Sequence, residues 1–328
     1  MHHTFLHTTA LVLVMAGAVL ANPIQQLNPI QLPPGFQYPN GIAHAGDGTL
    51  YVGSITRGQI LRITPEGEVE TFFPGTDEIF AATSLRLDQQ RGILWGASPD
   101  FLGIGSANGQ VTRRPHRIFA IDTRTAKVLQ VIPMPDKAFG NDIALDTSGG
   151  IYVTDSLQPR IYYLAPGATR LEVWAENEQF RSRSHQIGLG GIARSANGVL
   201  IVSLFSDGKL LSVTPQVQGN PLIEVIPLPR SLENPDGMQF APDGSLLITE
   251  GAIASGNGRL LRIRNILDTG TPRAIETLVT GLASPVNLTI SGKTIWVTES
   301  RIRHRLLPGK AATAPDSFFV RRFTGNHE

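Results

Sequence analysis

Three short segments place oxygen-bearing side chains in the same local setting: Asn40-Gly41-Ile42, Asn141-Asp142-Ile143 and Asp236-Gly237-Met238. Two further carboxylates, Glu250 and Glu299, close the apolar runs Leu246-Leu247-Ile248 and Ile295-Trp296-Val297. Carboxylate and amide oxygens gathered at one place suit a hard cation, so Asn40, Asn141, Asp236, Glu250 and Glu299 are expected to ligate a divalent ion such as Ca²⁺. His116 and His185 sit in arginine-bearing loops, and a histidine there is an expected general base beside Asp236 and Asn141. Each group also has a plainer use. A carboxylate at a strand end caps neighbouring backbone N–H groups, an Asn or Asp opening a loop makes an Asx turn, and a loop histidine is commonly solvated.

The elements that must position these residues form a repeat. Six segments share one template: a short loop, an apolar strand, a Gly/Asp turn and a second strand rich in large apolar residues. The middle residues of the second strands, Tyr51, Trp95, Tyr152, Ile201, Leu247 and Trp296, are 44, 57, 49, 46 and 49 residues apart. That period is one four-stranded blade, and six of them predict an all-β, six-bladed β-propeller with four antiparallel strands per blade. Turns such as Asp47-Gly48, Asn197-Gly198 and Asp243-Gly244 supply the positive φ that tight hairpins need. A third strand follows in each blade, as in Arg160-Ile161-Tyr162-Tyr163-Leu164. The ring can close in two ways, with Ile30-Gln31-Leu32 completing the last blade or Phe318-Phe319-Val320 serving as its outer strand; a pairing between the termini is expected.

Connectivity puts the leading loops and the second-strand ends on one rim and the Gly turns on the other. The first rim therefore carries two rings of residues. One is Asn40, Thr83, Asn141, Gly190, Asp236 and Val286; the other is Ser54, Ser98, Asp155, Leu204, Glu250 and Glu299. An insertion over residues 99–115 in the second blade, and loops holding His185 and His304, rise on the same rim, where function usually resides. The insertion is a candidate lid.

Composition narrows the classes. Cysteine is absent, which excludes thiol nucleophiles, Cys-type zinc sites and iron–sulfur clusters. Net charge is +1 with 17% charged residues and no basic block, so no nucleic-acid partner is expected. Residues 1–21 read as a secretory signal peptide ending in Val19-Leu20-Ala21, and no later run is long enough to span a membrane. The expectation is a secreted or periplasmic monomer, its propeller occupying residues 22–328. The sequon Asn287-Leu288-Thr289 opens an inner strand and reads as unmodified.

The pattern resembles the senescence-marker-protein/gluconolactonase family of six-bladed propellers. Asn141, in Gly140-Asn141-Asp142, and Asp236, in Pro235-Asp236-Gly237-Met238, match two of that family's four ligands for a central divalent cation, usually calcium. Asn40 stands where the family has Glu, and Gly190 where it has a second Asn. The resemblance implies a hydrolase acting on a lactone or related ester, its carbonyl polarised by the cation and its water activated by Asp236 or a rim carboxylate. Two readings stay open beside it: a metal-free lyase, cyclase or isomerase of the strictosidine-synthase-like kind, and a non-catalytic propeller that binds a small molecule or protein.

Overall fold

The second strand of each repeat is largely buried on both faces, which only near-continuous apolar sequence permits. Leu50–Ser54, Leu200–Leu204 and Leu246–Glu250 are buried at every residue, whereas the outer strands Val69–Phe73 and Leu222–Ile226 are largely open to solvent. A computed structural model describes residues 24–100, 104–105, 111–112, 114–183, 187–268, 270, 273–307 and 315–325. They form six antiparallel four-stranded sheets, the blades, and one two-stranded ribbon. The segment read as a signal peptide lies outside the described residues.

The six inner strands, Pro39–His44, Thr83–Asp88, Gly140–Leu145, Leu189–Arg194, Pro235–Phe240 and Pro285–Ser291, contact one another in sequence order, and the last contacts the first. A closed ring results, as predicted. Six apolar clusters glue neighbouring blades. Trp95 and Ile118 of the second blade pack with Ile143 and Val153 of the third, while Phe318 and Val320 of the sixth pack with Ile42, Val52 and Leu61 of the first. At about 1.5–3 kcal/mol for each large side chain buried, these interfaces dominate the stability of a chain with no disulfide.

Closure uses both terminal stretches. Phe319–Thr324 is the third strand of the last blade, and Gln25–Gln31 pairs with it antiparallel as the fourth, Ile30 opposite Val320 and Gln31 opposite Phe319. The first alternative is the one realised: the N-terminal strand is the outer one, and Phe319-Val320 lies in the third strand instead of forming the outer edge.

Every inner strand is irregular at the same place. Its pairing with the second strand shifts between Pro39 and Ile42, Thr83 and Arg86, Gly140 and Ile143, Leu189 and Ile192, Pro235 and Met238, and Pro285 and Asn287. An extra residue in a strand re-aims the side chains around it. Here it sits at the Asn/Asp ring, so a feature of the scaffold turns those side chains out of the sheet and toward the axis. The strands crowd there as well: a Cβ on Gly191 would lie 2.0 Å from the Asp236 carbonyl oxygen.

Candidate functional site

Five members of the first ring, Asn40, Thr83, Asn141, Asp236 and Val286, line a cavity of about 550 Å³ at the upper mouth of the central tunnel. Gly190 is not among its walls. Above the ring the walls are mainly apolar, with Ile55, Phe139, Phe205, Ile253, Ile302 and Leu306 facing the same space. Polar groups come from the ring itself and from Ser156, Ser206, Asn234 and Ser300 beside it, a mix of apolar wall and few polar groups common to small-molecule sites. The Asn141 amide nitrogen donates to Ser156 Oγ at 2.7 Å, and Ser156 donates in turn to the Leu189 carbonyl at 2.7 Å, which fixes the carboxamide.

The second ring does not reach the cavity. Leu204 packs in an apolar cluster, and the polar members bond to the loops that lead into the inner strands. Ser98 Oγ accepts from the amides of Phe80 and Ala81, both at 3.0 Å. Asp155 accepts from the amides of Phe139, Leu157 and Gln158; burial still raises its pKa above the ordinary value. Glu250 accepts from the Glu233 amide at 2.9 Å and from Arg230 and Arg259, and Glu299 from the Ala283 amide at 2.8 Å. Burial pushes Glu250 up, but these donors outweigh it and hold the carboxyl below its usual range. Glu250 and Glu299 thus cap loop amides and do not line the cavity: a strand-end side chain follows the pleat of its own strand and lacks the bulge that turns the first ring inward.

Asp236 is different. Among the described residues nothing donates a hydrogen bond to its carboxylate and no cation pairs with it closely. It opens onto the cavity floor yet lies deep in the disc, so burial raises its pKa well above the ordinary carboxylate value; the nearby Asp142 pushes the same way and Arg86 opposes both. Asp142 is buried and fully engaged. It accepts from both the Ser84 hydroxyl and the Ile143 amide, from the Ile192 amide at 3.0 Å, and from Arg86 Nη2 at 2.9 and 3.0 Å. Arg86 Nη1 points on to Asn287 Oδ1 of the sixth blade, 3.4 Å away. This group of three blades lies directly beneath the upper cavity.

No protein-family model matches the sequence, and no curated protein matches it by sequence. By structure the chain is similar to a gluconolactonase from Xanthomonas campestris, with TM-score 0.60 at 15% identity over 93% of this chain and 98% of that one. The fold is that of the gluconolactonase-like six-bladed propellers. A streptogramin B lyase is equally similar, with TM-score 0.62 at 16% identity over 92% and 98% of the chains. So is a PQQ-bound aldose sugar dehydrogenase from Streptomyces coelicolor, with TM-score 0.60 at 15% identity over 92% and 98%. Identities this low establish the scaffold, which carries three unrelated chemistries among these neighbours.

Within this gluconolactonase-like disc the calcium expectation can be tested on the donors themselves. Calcium favours about six to eight oxygens, several of them carboxylate. The cavity offers one carboxylate, Asp236, with the neutral amides of Asn40 and Asn141, and the Arg86 guanidinium lies close enough to act on Asp236. Among the described residues no group of three His, Asp or Glu side chains is arranged to hold a metal. This donor set does not fit a resident calcium ion.

The histidines fall elsewhere. His116 is buried behind the cavity wall, edge-to-face on Phe139 with ring centroids 4.9 Å apart, and does not line the cavity. It therefore stands apart from Asp236 and Asn141, which do line the cavity. His185 lies outside the described residues. His304 stacks on Tyr38, bonding its hydroxyl at 3.2 Å through Nε2 and the Arg301 carbonyl at 3.1 Å through Nδ1. Of the insertion, Pro99 touches the cavity and Asp100 accepts from the Arg114 amide at 2.7 Å, while most of residues 101–113 lies outside the described residues. No helix among the described residues is long and apolar enough to cross a membrane.

The sequence reading missed Arg86 and the apolar wall. One signal for Arg86 was there: in the aligned inner strands its position is Ala43, Ala144 and Ala193 in three other blades. A lone arginine at a level where three other blades have alanine has the space the small residues leave.

Proposed function

We propose that the upper cavity hydrolyses a lactone or related ester, without a resident metal and with Asp236 as the general acid–base. The observation that carries this reading is the unpaired Asp236 carboxyl on the floor of an otherwise largely apolar cavity. A carboxyl whose pKa is raised toward the working pH is suited to proton transfer. In its ionised form Asp236 takes a proton from water as the water oxygen bonds to the ester carbonyl carbon. The carbonyl oxygen gains the electron pair, and the amide N–H groups of Asn40 and Asn141 are the donors placed to receive it. When the carbon–oxygen bond to the leaving group breaks, Asp236 returns its proton to the departing alkoxide, giving a carboxylic acid and an alcohol. The apolar wall keeps bulk water from competing and strengthens each of these contacts. Export by residues 1–21 would place this chemistry outside the cytoplasm.

A second reading follows from the same residue. With a cyclic ester bearing an acidic C–H, Asp236 could remove that proton and expel the carboxylate, a lyase reaction in which no water is consumed. The test is a panel of lactones and aryl esters assayed with the wild-type protein and Asp236→Asn, with product masses determined. A product heavier by one water that disappears in Asp236→Asn supports hydrolysis; a ring-opened product of unchanged mass supports elimination. Turnover that survives Asp236→Asn would sink both.

A further inference from the structure

We propose that the lower mouth of the tunnel is a second binding site, specific for a small oxyanion carrying carboxylate or phosphate groups. A cavity of about 330 Å³ opens there, formed by the lower halves of all six inner strands, and it shares no wall residue with the upper cavity. The Arg86–Asp142–Asn287 group lies between the two, so the lower site is reached from the opposite face of the disc.

Its chemistry is one-sided. Arg86, Arg194, His44, Gln89, Gln239 and Thr289 are among its walls, and no Asp or Glu is. Three of the blades contribute only Ala43, Ala144 and Ala193 at the level of Arg86, which is why there is room beside its guanidinium. Arg86 is balanced by Asp142, but Arg194 has no carboxylate partner among the described residues. The carboxylates of the lower turns are already committed: Asp47 to the Thr49 amide, Asp88 to Arg91, Asp146 to Tyr163 and Asp243 to Ser245. Burial holds the His44 imidazole below its ordinary pKa despite Asp47, and the ring is steadied by stacking on Trp296 at 4.9 Å. It joins the site as a neutral donor or acceptor.

Arg86 is spent on Asp142, the Leu85 carbonyl and Asn287; the Arg194 guanidinium, unpaired among the described residues, and the carboxamides of Gln89 and Gln239 leave donors in excess at this cavity. The ligand that completes such a set is rich in acceptors and negatively charged, and guanidinium forks pair with carboxylate and phosphate oxygens two at a time. The volume exceeds that of inorganic phosphate, which favours a larger anion with several oxygens.

Calorimetric titration of the purified full chain with inorganic phosphate and with citrate, at low ionic strength and against chloride of matched ionic strength, tests this. Saturable binding of either anion, weakened roughly tenfold or more in Arg194→Gln, is the expected result, since a charge-assisted pair of hydrogen bonds is lost. Arg194→Lys, which keeps the charge and loses the fork, should fall between, and it carries the comparison if Arg194→Gln is poorly folded. Asp236→Asn should bind as wild type does, which separates this site from the upper one. Which of the two anions binds more tightly distinguishes a phosphate site from a polycarboxylate site. Absence of saturable binding, equal heat from chloride, or affinity unchanged in both Arg194 variants would overturn the proposal.

Discussion

Arg86 donates to both carboxylate oxygens of Asp142, at 2.9 and 3.0 Å, and this pair ties the second blade to the third directly beneath Asp236. The pair is consequential in two ways. It stands between residues of the two cavities, and it brings one negative and one positive charge to bear on Asp236, the one carboxyl that lines the upper cavity among the described residues.

Replacing Arg86 with Met should be severe, because Asp142 is left buried without its cation. Breaking a buried pair from one side costs about 3–5 kcal/mol. The double variant Arg86→Met/Asp142→Asn should be less destabilised than the sum of the single changes, as a urea-denaturation cycle would show. Loss of the guanidinium should also raise the Asp236 pKa further, so the acid limb of the pH–rate profile moves to higher pH.

Asp236→Asn should reduce hydrolysis by about a hundred- to ten-thousandfold, the usual contribution of a placed general acid–base. Its effect on stability runs the other way. The folded-state pKa of Asp236 is raised, so the folded protein holds this proton more tightly than the unfolded chain does. Stability from this group is therefore full below the unfolded value and declines as pH rises toward the folded one. Melting temperature against pH should fall less steeply in Asp236→Asn than in wild type; parallel curves would contradict the assignment.

Neither calcium at millimolar concentration nor a chelator should move the melting temperature, since one carboxylate and two carboxamides give little affinity. A rise with calcium that vanishes in Asp236→Ala would restore the metal-assisted mechanism. Glu250→Ala should instead destabilise by roughly 1–3 kcal/mol by removing the acceptor for the Glu233 amide, with no change in response to metal.

Deletion of residues 1–31 should open the ring. The strand Gln25–Gln31 is mostly exposed, yet it completes the last blade and covers the edge of Phe319–Thr324. A lower melting temperature and increased aggregation are expected, with light scattering as the readout. Unchanged stability would mean that the sixth blade stands on three strands.

Much of the scaffold was legible because propeller repeats leave a periodic trace. Tyr51, Trp95, Tyr152 and their equivalents recur at blade spacing, and each second strand must be apolar on both faces to fit between neighbours. The upper rim was legible for the same reason, since chain direction alternates strand by strand. The site was legible only in part. Asn141 and Asp236 reach the cavity as expected, whereas Glu250 and Glu299, of equally suitable chemistry, do not. The difference is a bulge between Pro235 and Met238 that the residue types alone do not announce. Arg86 escaped notice because its partners, Asp142 and Asn287, are 56 and 201 residues away in sequence.

The sequence by itself determined the number of blades, the turns, the polarity of the two rims and the membership of the ring that faces the axis. These follow from local periodicity and from chain direction, which neighbouring residues encode. Tertiary structure decided which oxygens point into the tunnel, that Asp236 stands there without a partner, and that one arginine divides the channel into two chemically different mouths. Those outcomes depend on side chains from separate blades meeting at the axis, and on the few degrees of backbone rotation at each bulge that send a carboxylate either into the cavity or back against its own loop.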